Sequence, residues 1–465
     1  MADVCDQIPH ADSTPRAAAG RSTDIQAKPV HRIVNDTATQ LTPYQQTVRE
    51  LSERLVEAQR AIRILDAIKW DGEVEQAFFA AGCKELPQVD RGYYEARSPG
   101  FDPAAKRKEF YDLERDVVAR LGQFNPVGGI LRRMCREYQL VIHMLENRGL
   151  AEFSQISQEL YGSAGDVFHA GDPTLADFGV MMFEALTNIR DSQFLDHPEK
   201  SIDGPAAVAI LQERLHQTFG EGAEAVRVKL SDGIVSDAAA GTDYIKIRAD
   251  AWFSERDLKL LEIHEGWVHV GTTLNGMNQP ICTFLSKGPP SSTVTQEGLA
   301  ILMEVLAFAS HPPRLRRVTN RIRAVHMAEG GANFIEVFNF FREQGLSDQE
   351  SYTSAFRVFR GSTPDSGPFT KDISYSKGFI LVYDYVQLAV QKGLLSRVPL
   401  LFCGKTTLED MRTLAQLVDE GLVVPPKHLP PQIADMNALA AWMCYSNFLN
   451  RLNLGQVEAD YAGIL

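Results

Sequence analysis

The stretch LKLLEIHEGWVHVG, Leu258 to Gly271, decides how the rest of the chain is read. It follows Ser254, whose hydroxyl suits an N-cap, with Asp257 three residues on to complete a capping box. Glu255 and Asp257 suit the positive end of a helix dipole, and Gly271 is the kind of residue found just past a helix end. Between these marks Leu260, Leu261, His264, Trp267 and Val268 recur at helical spacing on one face. An amphipathic helix is expected, with His264 in its buried stripe, where an imidazole needs a polar partner.

His264, Glu265 and His269 are spaced H-E-x-x-x-H, one residue longer than the H-E-x-x-H motif. In the shorter motif the histidines stand i, i+4 and share a face. At i, i+5 they are roughly 140° apart on a helix of 3.6 residues per turn, too far round for both to reach one ion comfortably. A π-turn, which closes i→i+5, returns them to one side, and Gly266 lowers the resistance to that distortion. The spacing therefore predicts a local widening of the helix at residues 264–269.

A second stretch, TQEGLA at Thr295 to Ala300, offers Glu297. Two imidazoles, a carboxylate as third ligand and an open fourth position are the parts of a hydrolytic zinc site. Glu265 is adjacent to a ligand yet cannot easily coordinate the same ion. It suits a general base acting on water held at the metal. Spacing alone is equally consistent with a core histidine hydrogen-bonded to a neighbour, with Glu265 and His269 on a solvated edge.

HEGWVH followed by TQEGLA resembles the flavohaemoglobin expression-modulating QEGLA-motif family. Its eukaryotic relatives are the microtubule-associated tyrosine carboxypeptidases, which remove the C-terminal tyrosine of α-tubulin. The resemblance runs from about residue 45 to the end and includes AIKWDGEVEQAF, ELYGSAGDVFHAGDP, FRGSTPDSGPFTKD and LFCGKTTLEDM. It is closest to the bacterial branch. It implies that His264, His269 and Glu297 bind Zn2+ and that Glu265 is the catalytic base. The eukaryotic relatives tend to have Glu where this chain has Gln296, and the resemblance does not extend to their tubulin specificity.

A chain of 465 residues can hold two domains or one large one. Its net charge of −13 argues against nucleic-acid binding, which needs basic surface. None of the six cysteines forms a C-x-x-C pair, so a thiolate metal site or redox motif is not expected, and reduced thiols are the simple reading. The N-terminus lacks an apolar signal core, and no apolar run reaches membrane-spanning length. A soluble cytoplasmic protein with no membrane partner is expected.

Residues 1–40 read as a disordered N-terminal tail, 41–204 as a helical N-terminal region, and 205–465 as a zinc-peptidase-like catalytic region. Helices are expected from Thr42 and near 73–82, 103–121, 126–147 and 152–161, with His143 as a core histidine. His169 and Asp172 read as a loop, with Asp172 capping a helix that begins at Pro173. Strands are expected at 226–230 and 243–253, with SDG and AAAGT as turns between them. An edge of that sheet could pair with an extended peptide, or the sheet could only cover the helix. Thr293 with Gln296 reads as a capping box placing Glu297 in a helix's first turn. RLRRVTNRIR, residues 314–323, reads as a solvated helix face, with a docking strip for an acidic tail as the alternative.

A carboxypeptidase also needs a cation for the terminal carboxylate and a donor for the oxyanion. Arg357, Arg360, Lys371 and Tyr375 are the substrate-binding candidates: Lys371 and Arg360 for charge, Tyr375 for the oxyanion. The expected fold is mainly α with a small β-sheet, in a gluzincin-like metallopeptidase arrangement. The expected function is a zinc-dependent carboxypeptidase acting on a peptide or protein C-terminal tail. The alternative is a non-hydrolytic zinc protein that binds such a tail and modulates gene expression indirectly.

Overall fold

The computed structural model describes residues 41–189, 199–220, 226–234, 236–452 and 461. The tail expected over residues 1–40 lies outside them. Thr42–Leu465 forms one compact unit, mainly α-helical with two small sheets. No helix among the described residues is long and apolar enough to cross a membrane.

Local signals place many of the helix starts. Thr42 makes a reciprocal capping box with Gln45 ahead of Pro43–Ala58, and Asn125 caps Pro126–Glu146 with Pro126 in its first turn. Others shift. The helix expected from Pro173 begins at Leu175, because Thr174 and Asp177 form the capping box, and Asp172 instead meets His169 in an exposed loop. His143 is not in the core. It is exposed in the last turn of Pro126–Glu146, within reach of Asn147, so the apolar stripe passes beside it.

Aromatic packing joins early and late parts of the chain. Phe78 meets Phe334 and Phe338 edge-on, and Trp70 meets Phe356, at ring separations of 5.1–5.2 Å. The Tyr94 hydroxyl accepts from the Trp70 indole at 2.7 Å and the Gly361 amide at 2.8 Å, and donates to the Ser362 carbonyl at 3.1 Å. This fixes the start of the loop that leads to Lys371.

Two strands, β1 (Ile202–Asp203) and β5 (Trp252–Phe253), pair antiparallel. Between them lie β2 (Arg227–Ser231), β3 (Ala238–Ala240) and β4 (Tyr244–Arg248), forming a sheet ordered β2-β4-β3. β2 runs parallel to β4, with Val228 opposite Ile245, and β3 runs antiparallel to it, with Ala240 opposite Ile245. The sequence reading took AAAGT as a turn. Three of its residues form the edge strand, because tertiary pairing with β4 outweighs the low strand propensity of alanine. The expected strand 243–253 is split between β4 and β5.

The helix Pro290–Leu306 carries TQEGLA and crosses Ser374–Gln391 at closest approach. A Cβ on Gly298 would overlap the Gly378 backbone, and one on Gly378 would overlap the Val294 carbonyl. This explains the glycine of QEGLA: the two backbones touch where a side chain would stand. Helix propensity alone favours Gly298→Ala by about 1 kcal/mol. Overlap with backbone cannot be relieved by a rotamer, so overpacking should win. A net loss of about 1–3 kcal/mol is expected, read by denaturant unfolding. An unchanged or raised midpoint would contradict the close crossing.

Candidate metal centre

Ser254 and Asp257 form the expected capping box, and Glu255–Leu261 is α-helical. Glu262–Val270 is then a π-helix, with the Gly271 amide donating to the Gly266 carbonyl five residues back. The predicted widening is present and extends a little beyond 264–269 on both sides. Gly266 has a second role: a Cβ there would run into the end of the Leu215 side chain on the helix Gly204–Phe219. Gly271 does not stop the helix, which continues as Gly271–Met277. The turn Gly271–Gly276 is buried, and Asn275 donates to the Phe402 and His428 carbonyls at 2.9 and 2.7 Å. Tertiary packing outweighs the local stop signal.

The π-turn brings the two imidazoles together, with ring centroids 4.8 Å apart and planes at 88°. Glu297 reaches them from Pro290–Leu306. Its Oε2 lies 3.4 Å from His264 Nε2 and 3.6 Å from His269 Nε2. That helix starts at Pro290, not at Thr293, so Glu297 sits in its second turn. A proline tolerated at the first helical position extends the start past the capping box that the sequence offers.

Glu297 Oε2 is buried and has no hydrogen-bond partner among the described residues. An orphaned buried carboxylate oxygen is costly, and one facing two imidazole nitrogens suits a shared cation. Ligand atoms about 2.1 Å from a tetrahedral zinc ion stand roughly 3.4 Å apart, close to the separations here. His264, His269 and Glu297 thus fit a divalent ion of that kind.

The surroundings orient this donor set. His264 is buried, and its Nδ1 stands 2.7 Å from Glu304 Oε1, which leaves Nε2 facing Glu297. Glu304 in turn accepts from Arg314 Nη2 at 2.9 Å and Nε at 3.1 Å. Burial alone would push the His264 imidazole down, but the Glu297 and Glu304 carboxylates outweigh it and raise it to about 10. Burial would raise the Glu297 carboxyl, yet Lys371, His264 and His269 hold it well below its usual range. The site is built for positive charge.

Glu265 stays outside the cluster. Its carboxylate accepts from the Ala240 amide of β3 at 2.8 Å, so the sheet edge holds it beside His264. Lys405 donates to the His269 carbonyl at 2.9 Å, to Thr272 at 3.0 Å and to Gln296 Oε1 at 2.9 Å. Burial pushes its amine down to about 7. Gln296, in the position before Glu297, is therefore a ligand for Lys405.

The four substrate-binding candidates fare differently. Lys371 pairs with Glu297 Oε1 at 3.3 Å, and the Tyr375 ring stacks 6.2 Å from His264. Arg357 makes a bidentate pair with Asp372 at 2.8 and 2.7 Å. Arg360 is buried against the Phe356 and Phe369 rings, and Arg357, Asp372 and Tyr375 are its electrostatic neighbours.

Sequence reasoning missed Glu304, and it placed Arg314 and Arg321 in a run read as a solvated face, with a docking strip for an acidic tail as the alternative. Glu304 was detectable as a charge two turns after Glu297 on an otherwise apolar helix face. The arginine run does not form the solvated face expected of it. Arg314 is spent on Glu304, Arg321 lies over the Tyr375 ring at 4.5 Å, and Arg323 lies over Phe183 at 4.0 Å. The helix Pro312–Glu329 turns these arginines inward because each guanidinium finds a carboxylate or an aromatic face there.

No curated protein matches the chain. The profile of the microtubule-associated tyrosine carboxypeptidases matches residues 76–451, which include every residue of the site just described. With most of its length matched, the chain belongs to the microtubule-associated tyrosine carboxypeptidase family.

Proposed function

We propose that this protein is a zinc-dependent carboxypeptidase that shortens a peptide or protein at its C-terminal tail. The observation that carries the proposal is the convergence of His264 Nε2, His269 Nε2 and the unpartnered Glu297 Oε2, with Glu265 alongside and free of the cluster. The arrangement is gluzincin-like: two histidines from one helix and a glutamate from a later one. His264, His269 and Glu297 would hold the ion, which when bound supplies Lewis acidity and lowers the pKa of water towards neutrality.

The chain's own residues do the rest. Glu265 takes a proton from the attacking water as its oxygen adds to the scissile carbonyl carbon. It hands that proton to the departing nitrogen as the C–N bond breaks. Tyr375, whose ring stacks beside His264, would donate to the oxyanion. Lys371 neutralises Glu297 and keeps it ionised as a ligand. Family membership supports the C-terminal mode of cleavage. A cytoplasmic setting is part of the proposal, supported by five unpaired cysteines among the described residues.

The test is mass spectrometry of a peptide library incubated with the zinc-loaded protein and, in parallel, with its Glu265→Gln variant. Loss of single C-terminal residues with the wild type alone is expected. If the wild type shortens no peptide with zinc in excess, the hydrolase reading fails.

A further inference from the structure

The stretch LFCGKTTLEDM carries Lys405, which is not among the candidate ligands and has no part in the reaction just proposed. Its main chain is fixed. The Lys405 amide donates to the Leu285 carbonyl at 2.7 Å, and a Cβ on either Gly404 or Gly276 would overlap that same carbonyl. Leu285 is thus clasped between the loop of Lys405 and the helix Gly271–Met277, at two glycines where backbone meets backbone.

From that fixed start the side chain ends among three oxygens: the His269 carbonyl, Thr272 Oγ1 and Gln296 Oε1, all within 3.0 Å. An ammonium has three N–H groups, and each finds one acceptor. The acceptors belong to both ligand-bearing helices. The ring of His269 faces Glu297 while its carbonyl faces Lys405. Thr272 lies three residues further along, and Gln296 immediately precedes Glu297. Gln296 Nε2 is enclosed and makes no hydrogen bond among the described residues, whereas Oε1 accepts from Lys405 and, at 2.7 Å, from Thr272. The glutamine is held by its carbonyl oxygen alone.

The place needs such a tie. A π-helix is rare, and most are single turns, yet this one runs from Glu262 to Val270 before α-helix resumes at Gly271. Relaxation to regular α-helix would carry the His264 and His269 rings roughly 140° apart around the axis and break up the donor set. The His269 carbonyl lies where the ladder changes from i→i+5 to i→i+4, and it takes side-chain donors there: Lys405 and the Thr273 hydroxyl, the latter at 2.8 Å. Of these two, only Lys405 is anchored outside the helix.

We infer that Lys405 is a positioning residue for the metal centre: its ammonium ties the His269 main chain to the turn that carries Glu297, and so sets the spacing of two of the three candidate ligands. This rests on the metal-centre reading and adds to it a residue that acts through the ligands without touching the ion.

The test is zinc affinity, by competition with a chromophoric chelator, and the visible spectrum of the cobalt-loaded full-length protein, which reports ligand geometry. Lys405→Met keeps the stem and removes the donors; zinc affinity should fall about 10–100-fold and the cobalt bands should change. Gln296→Leu cuts the tie at its other end and should lower affinity about tenfold, while Thr272 can still donate to the Val268 carbonyl, 2.7 Å away. Because the two residues act as one link, the double variant should bind zinc within about threefold of Lys405→Met, whereas independent losses would multiply. Gln296→Glu keeps an acceptor for Lys405 and gives up an amide nitrogen that bonds to nothing; it should hold zinc within about threefold of wild type, with unchanged cobalt bands.

Unchanged zinc affinity and cobalt spectrum in both Lys405→Met and Gln296→Leu overturn the assignment, even if the metal-free proteins melt lower, since that pattern marks a purely structural lysine. Multiplying losses in the double variant overturn it too. Should Lys405→Met fail to fold, the contrast between Gln296→Leu and Gln296→Glu decides. Metal binding is read without turnover, so a wild type that takes up zinc but shortens no peptide would defeat the hydrolase reading and leave this one standing. A wild type that takes up neither metal defeats both.

Discussion

Replacing Glu265 with glutamine should lower turnover by about 10²–10⁴-fold while zinc stays bound at wild-type stoichiometry. The two halves of this expectation have separate causes. The candidate ligands are His264, His269 and Glu297, and Glu265 is not among them. Its carboxylate instead accepts from the Ala240 amide. A glutamine carbonyl oxygen can accept the same hydrogen bond, so the side chain stays in place beside His264. What it loses is basicity: an amide cannot carry a proton from water to the leaving nitrogen. Zinc content by mass spectrometry of the metal, together with single-turnover kinetics, reads both halves. Loss of zinc in the variant would make Glu265 a ligand and remove it as the base.

The second large effect is expected at Glu304, which is not among the candidate ligands. It is fully buried, and it serves His264 and Arg314 at once. In Glu304→Gln the amide can turn its NH2 towards His264 Nδ1. The imidazole proton then moves to Nε2, the nitrogen that faces Glu297, where it opposes a cation. Outer partners of this type are worth about 10–100-fold in metal affinity. Arg314 fares worse, because its side chain is only 12% exposed and its counter-charge is gone. Breaking a buried pair from one side costs about 3–5 kcal/mol. Zinc titration and denaturant unfolding should therefore report both losses. Zinc affinity within threefold of wild type would show that Glu304 does not set the orientation of His264.

The parts of this molecule that were legible in the sequence are those written in local chemistry. The excess residue between His264 and His269 could be read as a π-turn because helix geometry leaves few other ways for i, i+5 residues to share a side, and the π-helix spans Glu262–Val270. Ser254 with Asp257 announced the start of that helix, and the alternating apolar residues of Tyr244–Arg248 announced β4. What was not legible depends on partners far along the chain. Ala238–Ala240 has no strand character of its own and becomes β3 only by pairing with β4. The arginines from 314 to 323 look like a solvated run until Glu304, Tyr375 and Phe183 supply inward partners. The meaning of Gly298 needed the Gly378 backbone, 80 residues later in the numbering, to be seen against it.

The strand that steadies Glu265 consists of three alanines in succession, Ala238 to Ala240. Methyl groups have no rotamers, so nothing along this rim can swing into the space next to the carboxylate. The edge that holds the Glu265 carboxylate is therefore made of main chain and methyl groups alone. A bulky residue at 239 would put a moving side chain on an edge where the fold now keeps only a methyl group.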